Sequence, residues 1–311
     1  MQKIHKNTQS PDKLSRMPPK FNQTSIESDY SVPTLRQRIK SYQIETISVV
    51  NIDFRADDEF LSRFLSVSGF DENGNQNIDG AFKIYKNYHS CLLSVNQLHP
   101  AKPESNFNQT LHILLDFIAV PSENPLHFYG FDSKHRAVLG YITKQVNPNK
   151  PDVLLGQLLA SLVIVEYLQK KFSKKIKNHG MIMIMDHGGL NLAHYHKFIT
   201  NPFMLKLFAD FYSTAIPIEI HQQAVVNEAG VTKLLFALAR PFIATEMTEK
   251  IQFYGVGYEN IVEELGGREF SPDFLEGGEL KAEVWPGEVE IGHFLRDCLP
   301  KLSRDKVINE F

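Results

Sequence analysis

The segment most informative about the fold is IPIEIHQQAVVNEAGVTKLLFALARPFIATEMTEKIQFYG, residues 216–255. Its apolar pattern predicts a strand over Ile220–Asn227, a helix over Val231–Arg240 and a second strand over Ile251–Tyr254. A helix of this length carries the chain back across a sheet, so that the two strands run parallel. The stretch therefore indicates an α/β fold.

The preceding hundred residues repeat this alternation. Strands are predicted over Leu126–Phe131, Ala137–Thr143 and Met181–Met185, with a long apolar helix that begins after Asp152. In the third strand the methionines share one face and the isoleucines the other, so both faces are apolar. Two interpretations fit this pattern: a strand buried on both faces, or a strand with one face lining a ligand cavity.

The N-terminal third has a different character. Helices are predicted over Leu35–Val49, from Asp57 to Gly69, and from a cap at Asp79 through Leu92. We divide the chain into a disordered tail over 1–30, a small all-helical unit over 31–98, a linker with a short helix over 99–125, a sheet domain over 126–285 and a C-terminal tail over 286–311.

Composition excludes several classes of protein. The 311 residues carry a formal net charge of -3, which is a poor match to nucleic acid. Two cysteines exclude a disulfide scaffold and fit a cytoplasmic protein. The apolar stretch Val153–Leu168 is short and interrupted by polar residues, so it predicts a buried helix and not a membrane span.

The segment Asp186-His187-Gly188-Gly189 is the most suggestive of chemistry. With His194 and His196 it resembles a metal site, but no Cys or Glu completes the ligand set. An esterase loop would need a Gly-x-Ser-x-Gly segment, which the chain lacks, and no phosphate-binding glycine motif occurs. We therefore predict no catalytic residue, no metal and no cofactor.

Three segments, in order, resemble the CRAL-TRIO lipid-binding family of tocopherol-transfer and retinaldehyde-binding proteins. They are DDEFLSRFLSVSGFD at 57–71, GMIMIMDHGGLNLAHYH at 180–196, and the opening stretch at 216–255. The resemblance runs from about Asp57 to Gly278. It implies a mostly parallel sheet that floors an apolar pocket, helical walls and a movable gate helix at about Ala229–Arg240.

The function implied by the resemblance is binding and intracellular transfer of a small hydrophobic lipid, such as a tocopherol, retinoid or phospholipid, without catalysis. Such a protein is expected to be a cytoplasmic monomer that touches membranes transiently. The alternative is a member of the family that has lost transport and serves as a scaffold or protein-interaction module.

The resemblance, together with strand and helix phase, also gives candidate pocket residues. On the long helix, the floor strands, the next helix and the gate these are Leu158, Ser161, Leu162, Val165, Met181, Met183, Met185, Phe208, Phe211, Tyr212, Ile218, Gln223, Val225, Leu235, Leu238, Ala239 and Ile243. Ser161, Tyr212 and Gln223 are the candidate hydrogen-bonding anchors for a ligand hydroxyl or carbonyl group.

One departure from the family concerns anionic head groups. Tocopherol-transfer relatives bind phosphoinositides with a basic cluster, and the matching positions here are Glu219, His221, Glu246 and Lys250. Only Lys250 keeps its charge type, and two positions are acidic. A phosphoinositide would meet repulsion there, which argues against phosphoinositide-driven release and leaves Lys250 as the one predicted head-group contact.

Overall fold

A computed structural model describes residues 28–50, 52–53, 55–97, 103–119, 123–298 and 301–302. Most of the predicted disordered tail lies outside these residues. The helices are α1 Ser28–Val50, α2 Asp58–Ser68, α3 Ile78–Gln97, α4 Pro103–Ile118, α5 Val153–Lys171, α6 Ser173–His179, α7 Leu192–Ile199, α8 Pro202–Asp210, α9 Gly230–Ala239, α10 Thr245–Lys250, α11 Glu259–Leu265 and α12 Glu288–Cys298. The strands are β1 Ile52–Asp53, β2 Leu126–Phe131, β3 Ala137–Ile142, β4 Met181–Asp186, β5 Ile220–Val226, β6 Ile251–Phe253 and β7 Lys301–Leu302.

The main sheet has five strands in the order β2-β3-β4-β5-β6. Strand β2 is antiparallel to β3, and every other neighbouring pair is parallel. The predicted α/β class with a mostly parallel sheet and an N-terminal helical unit is confirmed. The sequence analysis missed α6, α7 and α10, because helices of one or two turns carry too few residues to show a period.

The alternation in β4 separates two apolar layers. Met181 and Met183 pack into the larger core with the helices, whereas Ile182 and Ile184 join a smaller core with Ile261 of α11. The sheet is therefore covered on both faces, as parallel sheets usually are. Entry into β4 requires glycine at position 180, where φ is +58° and a Cβ would lie 2.4 Å from the carbonyl oxygen of Glu219.

Helix α5 runs through the middle of the larger core. It is long and apolar enough to cross a membrane, but 89% of its most apolar window is buried inside the fold. It packs against α4, α6, α8 and α12 as well as β2. This confirms the prediction of a buried core helix.

The N-terminal helical unit packs tightly on its own aromatic side chains. Asp57 caps α2 by accepting a hydrogen bond from the Phe60 amide at 2.9 Å. Helix α3 is capped by Asn77, which accepts from the Gly80 amide at 2.8 Å, and not by Asp79 as predicted. Asp79 lies in the first turn and forms an ion pair with Arg38.

The unit is joined to α5 by a buried ion pair. Arg63 Nη1 of α2 lies 2.9 Å from Glu166 Oε2 of α5, and the two side chains are 4% and 0% exposed. Glu166 also accepts from the Tyr88 hydroxyl at 3.4 Å. These contacts fix one surface of α5 against the helical unit and leave its first turns facing the sheet domain.

The predicted C-terminal tail contains an ordered element. Helix α12 contacts α4 and α5, and it buries Ile291, Phe294 and Leu295 in the larger core. The predicted domain limits themselves stay predictions.

Candidate functional site

A cavity lies on the methionine face of the sheet, toward the carboxyl ends of β3, β4 and β5. It offers about 210 Å³ to the centres of water molecules, against the roughly 10–15 Å³ that one buried water needs. Its floor is formed by Tyr141, Thr143, Met183, Met185, Gln223 and Val225. Ligands of open α/β sheets commonly bind at this edge.

Helices form the walls, and most of the side chains are apolar. The first turns of α5 contribute Val153, Leu154 and Gln157. Helices α7 and α8 with the residues beside them contribute Leu190, His194, Lys197, Phe198, Leu205, Phe208, Ala209, Tyr212 and Ser213. Val146, Pro148, His187, Ile243, Met247, Ile251 and Phe253 complete the lining outside α9.

Helix α9 covers one side of the cavity. Thr232, Leu235, Phe236 and Ala239 line it, at the i, i+3, i+4, i+7 spacing of one helical face. The predicted pocket residue Leu238 does not line the cavity, because it lies on another face. Leu234, on the same side as Leu238, is 50% exposed. The helix is thus apolar both toward the cavity and toward solvent.

Nine of the predicted pocket residues line the cavity: Met183, Met185, Phe208, Tyr212, Gln223, Val225, Leu235, Ala239 and Ile243. The structure brings these residues together from two strands and three neighbouring segments. Their contact with a ligand stays a prediction.

The other predicted residues are buried elsewhere. Leu158, Ser161, Leu162 and Val165 lie on α5 beyond the turns that reach the cavity, and the main-chain carbonyl of Leu162 contacts Cys298 of α12 at 3.9 Å. Met181, Phe211 and Ile218 are packed in the larger core. Met181 and Ile218 lie at the amino end of the sheet, whereas the cavity occupies the opposite end. Helix and strand periodicity predicts which face of an element a residue lies on. It does not predict how far along the element that residue lies from the cavity.

The predicted polar anchors are already hydrogen bonded within the protein. The Tyr212 hydroxyl donates to Ser161 Oγ at 2.6 Å, and Ser161 Oγ donates to the Gln157 carbonyl at 2.8 Å. Burial raises the pKa of Tyr212 to about 12, so the phenol is neutral at physiological pH. Gln223 Nε2 contacts Met247 Sδ at 3.4 Å.

The Asp-x-x-Gly turn after β4 is held by its own aspartate. Asp186 Oδ1 accepts from the Gly188 amide at 2.8 Å and from Asn227 Nδ2 at 2.9 Å. This pairing ties the end of β4 to the end of β5 and fixes the position of His187. Asp186 thereby acts in the architecture of the turn.

His187 links this turn to α9. Its Nδ1 lies 3.1 Å from Thr232 Oγ1, in the first turn of α9. Burial lowers the pKa of His187 to about 4, which leaves the imidazole uncharged at neutral pH. The ring therefore positions α9 through a neutral hydrogen bond.

The histidines of this segment do not assemble a metal site. His194 caps α7 with Asn191, and its Nε2 lies 3.2 Å from the Val146 carbonyl oxygen. His196 is exposed on α7. Within the part of the chain that the structure describes, no group of three His, Cys, Asp or Glu side chains is placed to hold a metal ion.

Exposed apolar side chains lie on the elements that line the cavity. Leu192 and Ile199 of α7, Phe203 of α8, Leu234 of α9 and Phe253 of β6 are between 42% and 68% exposed. We call these five residues the apolar rim. Helices α7, α8 and α9 contact one another, and the Phe253 ring lies 5.3 Å from that of Phe236, so the rim follows the cavity wall.

The predicted head-group contact lies outside the cavity lining. Lys250 is the half-buried last residue of α10. Glu219 is one of the two acidic residues at positions that match the basic cluster of the relatives. It lies before β5 at the amino end of the sheet, with its carboxylate 3.7 Å from His221 Nδ1. The two therefore do not form one site at the cavity.

Sequence reasoning missed the residues that loops and helix starts supply. Thr143, His187 and Val153 each follow the end of a strand or begin a helix. The tendency of ligands to bind beyond the carboxyl ends of parallel strands would have indicated the first two. Nothing comparable in the sequence indicates Lys197 or Phe198, because α7 itself was not predicted.

The chain matches the family of the CRAL/TRIO domain over residues 122–277. It is 25% identical over 266 residues to the "Alpha-tocopherol transfer protein-like" proteins of Homo sapiens and Pongo abelii, which covers 84% of this chain and 71% of each relative. Among solved structures it is similar to the "Crystal structure of Sfh5", with a TM-score of 0.41 and 15% identity over 80% of this chain and 87% of that one. The chain belongs to the CRAL/TRIO family, whose members are generally lipid-binding transfer proteins.

Proposed function

We propose that this CRAL/TRIO protein binds one small hydrophobic lipid in the cavity beneath α9 and carries it between membranes without chemical change. The observation that carries the proposal is the cavity itself, which is lined mainly by apolar side chains and left unfilled by them. The name of its relatives makes a tocopherol-like lipid one reasonable ligand.

Binding is driven by removal of apolar surface from water. Each Å² of ligand surface covered by the cavity contributes about 25 cal/mol. Met183 and Met185 on the floor suit a ligand of irregular outline, because their unbranched side chains adapt to its shape. No catalytic group is needed for this function.

Membrane contact is assigned to the apolar rim. Leu234 and Phe253 would enter the lipid surface while α9 moves aside to open the cavity. Two observations support α9 as the gate. The N-terminus of α9 has no side-chain cap. Among the described residues, one hydrogen bond between side chains, His187–Thr232, joins α9 to the turn after β4.

The structure bears on the two competing functions. A scaffold without transport would be expected to fill the pocket with its own side chains, whereas the cavity is open. A lipid esterase would need a Ser or Cys beside a histidine. Among the described residues, the cavity histidines His187 and His194 are hydrogen bonded to Thr232, Asn191 and Val146 instead.

Transfer between vesicles tests the proposal. Donor vesicles carry a fluorescent tocopherol analogue with a quencher, and fluorescence rises as the protein delivers the analogue to acceptor vesicles. Ala239→Phe places a ring inside the cavity and should abolish transfer. Ala237→Phe is the matched control, because Ala237 is exposed on the same helix. Equal transfer by both variants would contradict the proposal.

The rim is tested separately. Leu192→Ser with Leu234→Ser removes two exposed apolar side chains that do not line the cavity, and should slow transfer several-fold while leaving equilibrium binding of the analogue unchanged. Val284→Ser with Val289→Ser, at exposed positions outside the cavity lining, is the control. A loss of binding in the rim variant would assign these residues to the cavity and not to the membrane contact.

A further inference from the structure

The buried hydroxyl group of Thr143, which lines the cavity, has no hydrogen-bond partner among the described residues. We propose that Thr143 and His187 form a polar subsite that binds an uncharged hydroxyl or carbonyl group of the lipid. The inference rests on the proposed lipid-binding function and adds to it the chemical class of the ligand: a neutral lipid with one hydrogen-bonding end.

The register of the sheet brings the two residues together. Ile142 of β3 is the partner of Asp186 in β4, so the next residues along the two parallel strands, Thr143 and His187, leave the sheet side by side. Both line the cavity. The subsite therefore lies at the carboxyl edge, next to the first turn of α9.

Thr143 supplies the evidence for a missing partner. It is 2% exposed, and its Oγ1 has no hydrogen-bond partner in the part of the chain that the structure describes. Buried polar groups are nearly always hydrogen bonded, and an unsatisfied hydroxyl destabilises the folded state. A ligand oxygen that pairs with Oγ1 would remove this cost, which a purely hydrocarbon ligand would leave in place.

His187 offers a second hydrogen-bonding atom. Its Nδ1 is engaged by Thr232, and Nε2 has no hydrogen-bond partner among the described residues. Because burial holds the pKa of the ring near 4, the subsite carries no positive charge at neutral pH. A neutral oxygen fits such a pair, whereas a carboxylate would lose its hydration without gaining a counter-charge.

Three other polar side chains that line the cavity have partners within the protein. Tyr212, Gln223 and His194 are hydrogen bonded within the protein. Lys197 is the one lining cation among the described residues. Its half-exposed side chain keeps access to water, in contrast to the fully enclosed Thr143. An anionic ligand held by Lys197 is the competing outcome of the test.

The test compares matched lipids on matched variants. The probes are retinol and its parent hydrocarbon, and octadecanol and octadecane, each pair differing by one hydroxyl. Wild type should bind each alcohol about ten-fold more tightly than its hydrocarbon. Thr143→Val should remove most of this preference, and Thr143→Ser, which keeps the hydroxyl, should preserve it.

The outcomes separate the two levels of the proposal. If no probe binds wild type, the carrier function fails together with the subsite. If alcohols and hydrocarbons bind equally well, the carrier function stands and the subsite is wrong. Tighter binding of retinoic acid than of retinol, lost in Lys197→Met, would likewise overturn it in favour of an anionic ligand.

Stability of the unliganded protein provides an independent readout. Thr143→Val should be at least as stable as wild type in urea, because the substitution removes an unsatisfied buried hydroxyl. A marked loss of stability would mean that the hydroxyl already has a partner in the protein, and would contradict the subsite.

Discussion

The helical unit and the cavity are built from the same kinds of side chain but pack in opposite ways. In the unit, Phe60 and Phe64 meet edge to face at 5.1 Å, and Phe64 meets Tyr85 and Tyr88 at 5.4 and 5.8 Å. These rings fill the space between α2 and α3. Around the cavity, Phe208 and Phe236 line space that the described side chains leave unfilled.

The difference arises from what the helices pack against. Helices α2 and α3 lie directly on each other, so ridges and grooves close the gap. Helix α9 spans the cavity and packs at its side on α7 and α8. Apolar residues therefore make a core where elements touch, and make a cavity where one element bridges between others.

The largest effect is expected where the two regions join. Arg63→Ala would leave Glu166 buried without its closest counter-charge and should lower the free energy of unfolding by about 3–5 kcal/mol. Urea denaturation measures this. The exposed pair Lys206–Asp210 is the control, and Lys206→Ala should cost at most about 1 kcal/mol. Similar effects of both substitutions would show that burial of the junction pair is unimportant.

The second largest effect is expected from acid, which should lower the free energy of unfolding through the helical unit. Burial lowers the pKa of His89 to about 3, so the unfolded chain takes up a proton first as the pH falls below about 6.5. The neutral ring contributes fully to the free energy of unfolding above that pH. Its contribution declines below that pH, by about 2 kcal/mol between pH 7 and pH 5. His89→Phe should remove that part of the decline.

The control for this prediction is the exposed His112, whose change to Phe should leave the pH dependence as it is. His187 in the cavity wall, with a pKa of about 4, adds a second contribution of the same sign. An unchanged slope in His89→Phe would show that the ring is not the source.

The smallest effect sharpens the contrast between filled and unfilled space. Ala81→Leu adds volume to the packed unit, where Ala81 is 0% exposed, and should cost about 1–3 kcal/mol. Ala239→Phe adds more volume beside the cavity and should change stability by less than about 1 kcal/mol. Thermal unfolding of both variants measures this, and the reverse order would mean that the cavity is occupied by protein.

Much of this architecture could be predicted from the sequence. The strands β2 to β6 and the helices α5 and α9 lie where the apolar pattern of the sequence predicts them. The two faces of β4 were correctly separated by the alternation of Met183 and Ile184. The family resemblance added the pocket and the position of the covering helix.

The details of the site could not be predicted, for physical reasons. Helical periodicity identifies a buried face only where one face is polar, and α5 is apolar all round. Which turns of α5 reach the cavity therefore depends on where α12 and the helical unit cover its other turns. Helix α9 likewise has two apolar faces. Its packing against α7 and α8 determines that Phe236 lines the cavity and Leu238 does not.

The hydrogen-bond partners of the polar side chains could not be predicted from the sequence either. Tyr212 and Ser161 resemble ligand anchors until the structure shows them bonded to each other at 2.6 Å. Thr143 attracts no attention in the sequence, yet its buried hydroxyl has no partner within the described ranges of the chain. Which polar groups are left for a ligand depends on contacts between distant segments.

Native mass spectrometry of the purified protein tests whether the cavity carries a lipid. We expect a wild-type mass raised by one lipid, which solvent extraction identifies, and an Ala239→Phe variant that has the mass of the bare chain. A wild type that is bare, and that stays bare after incubation with vesicles containing retinol, octadecanol and tocopherol, would contradict the claim that the cavity carries a lipid.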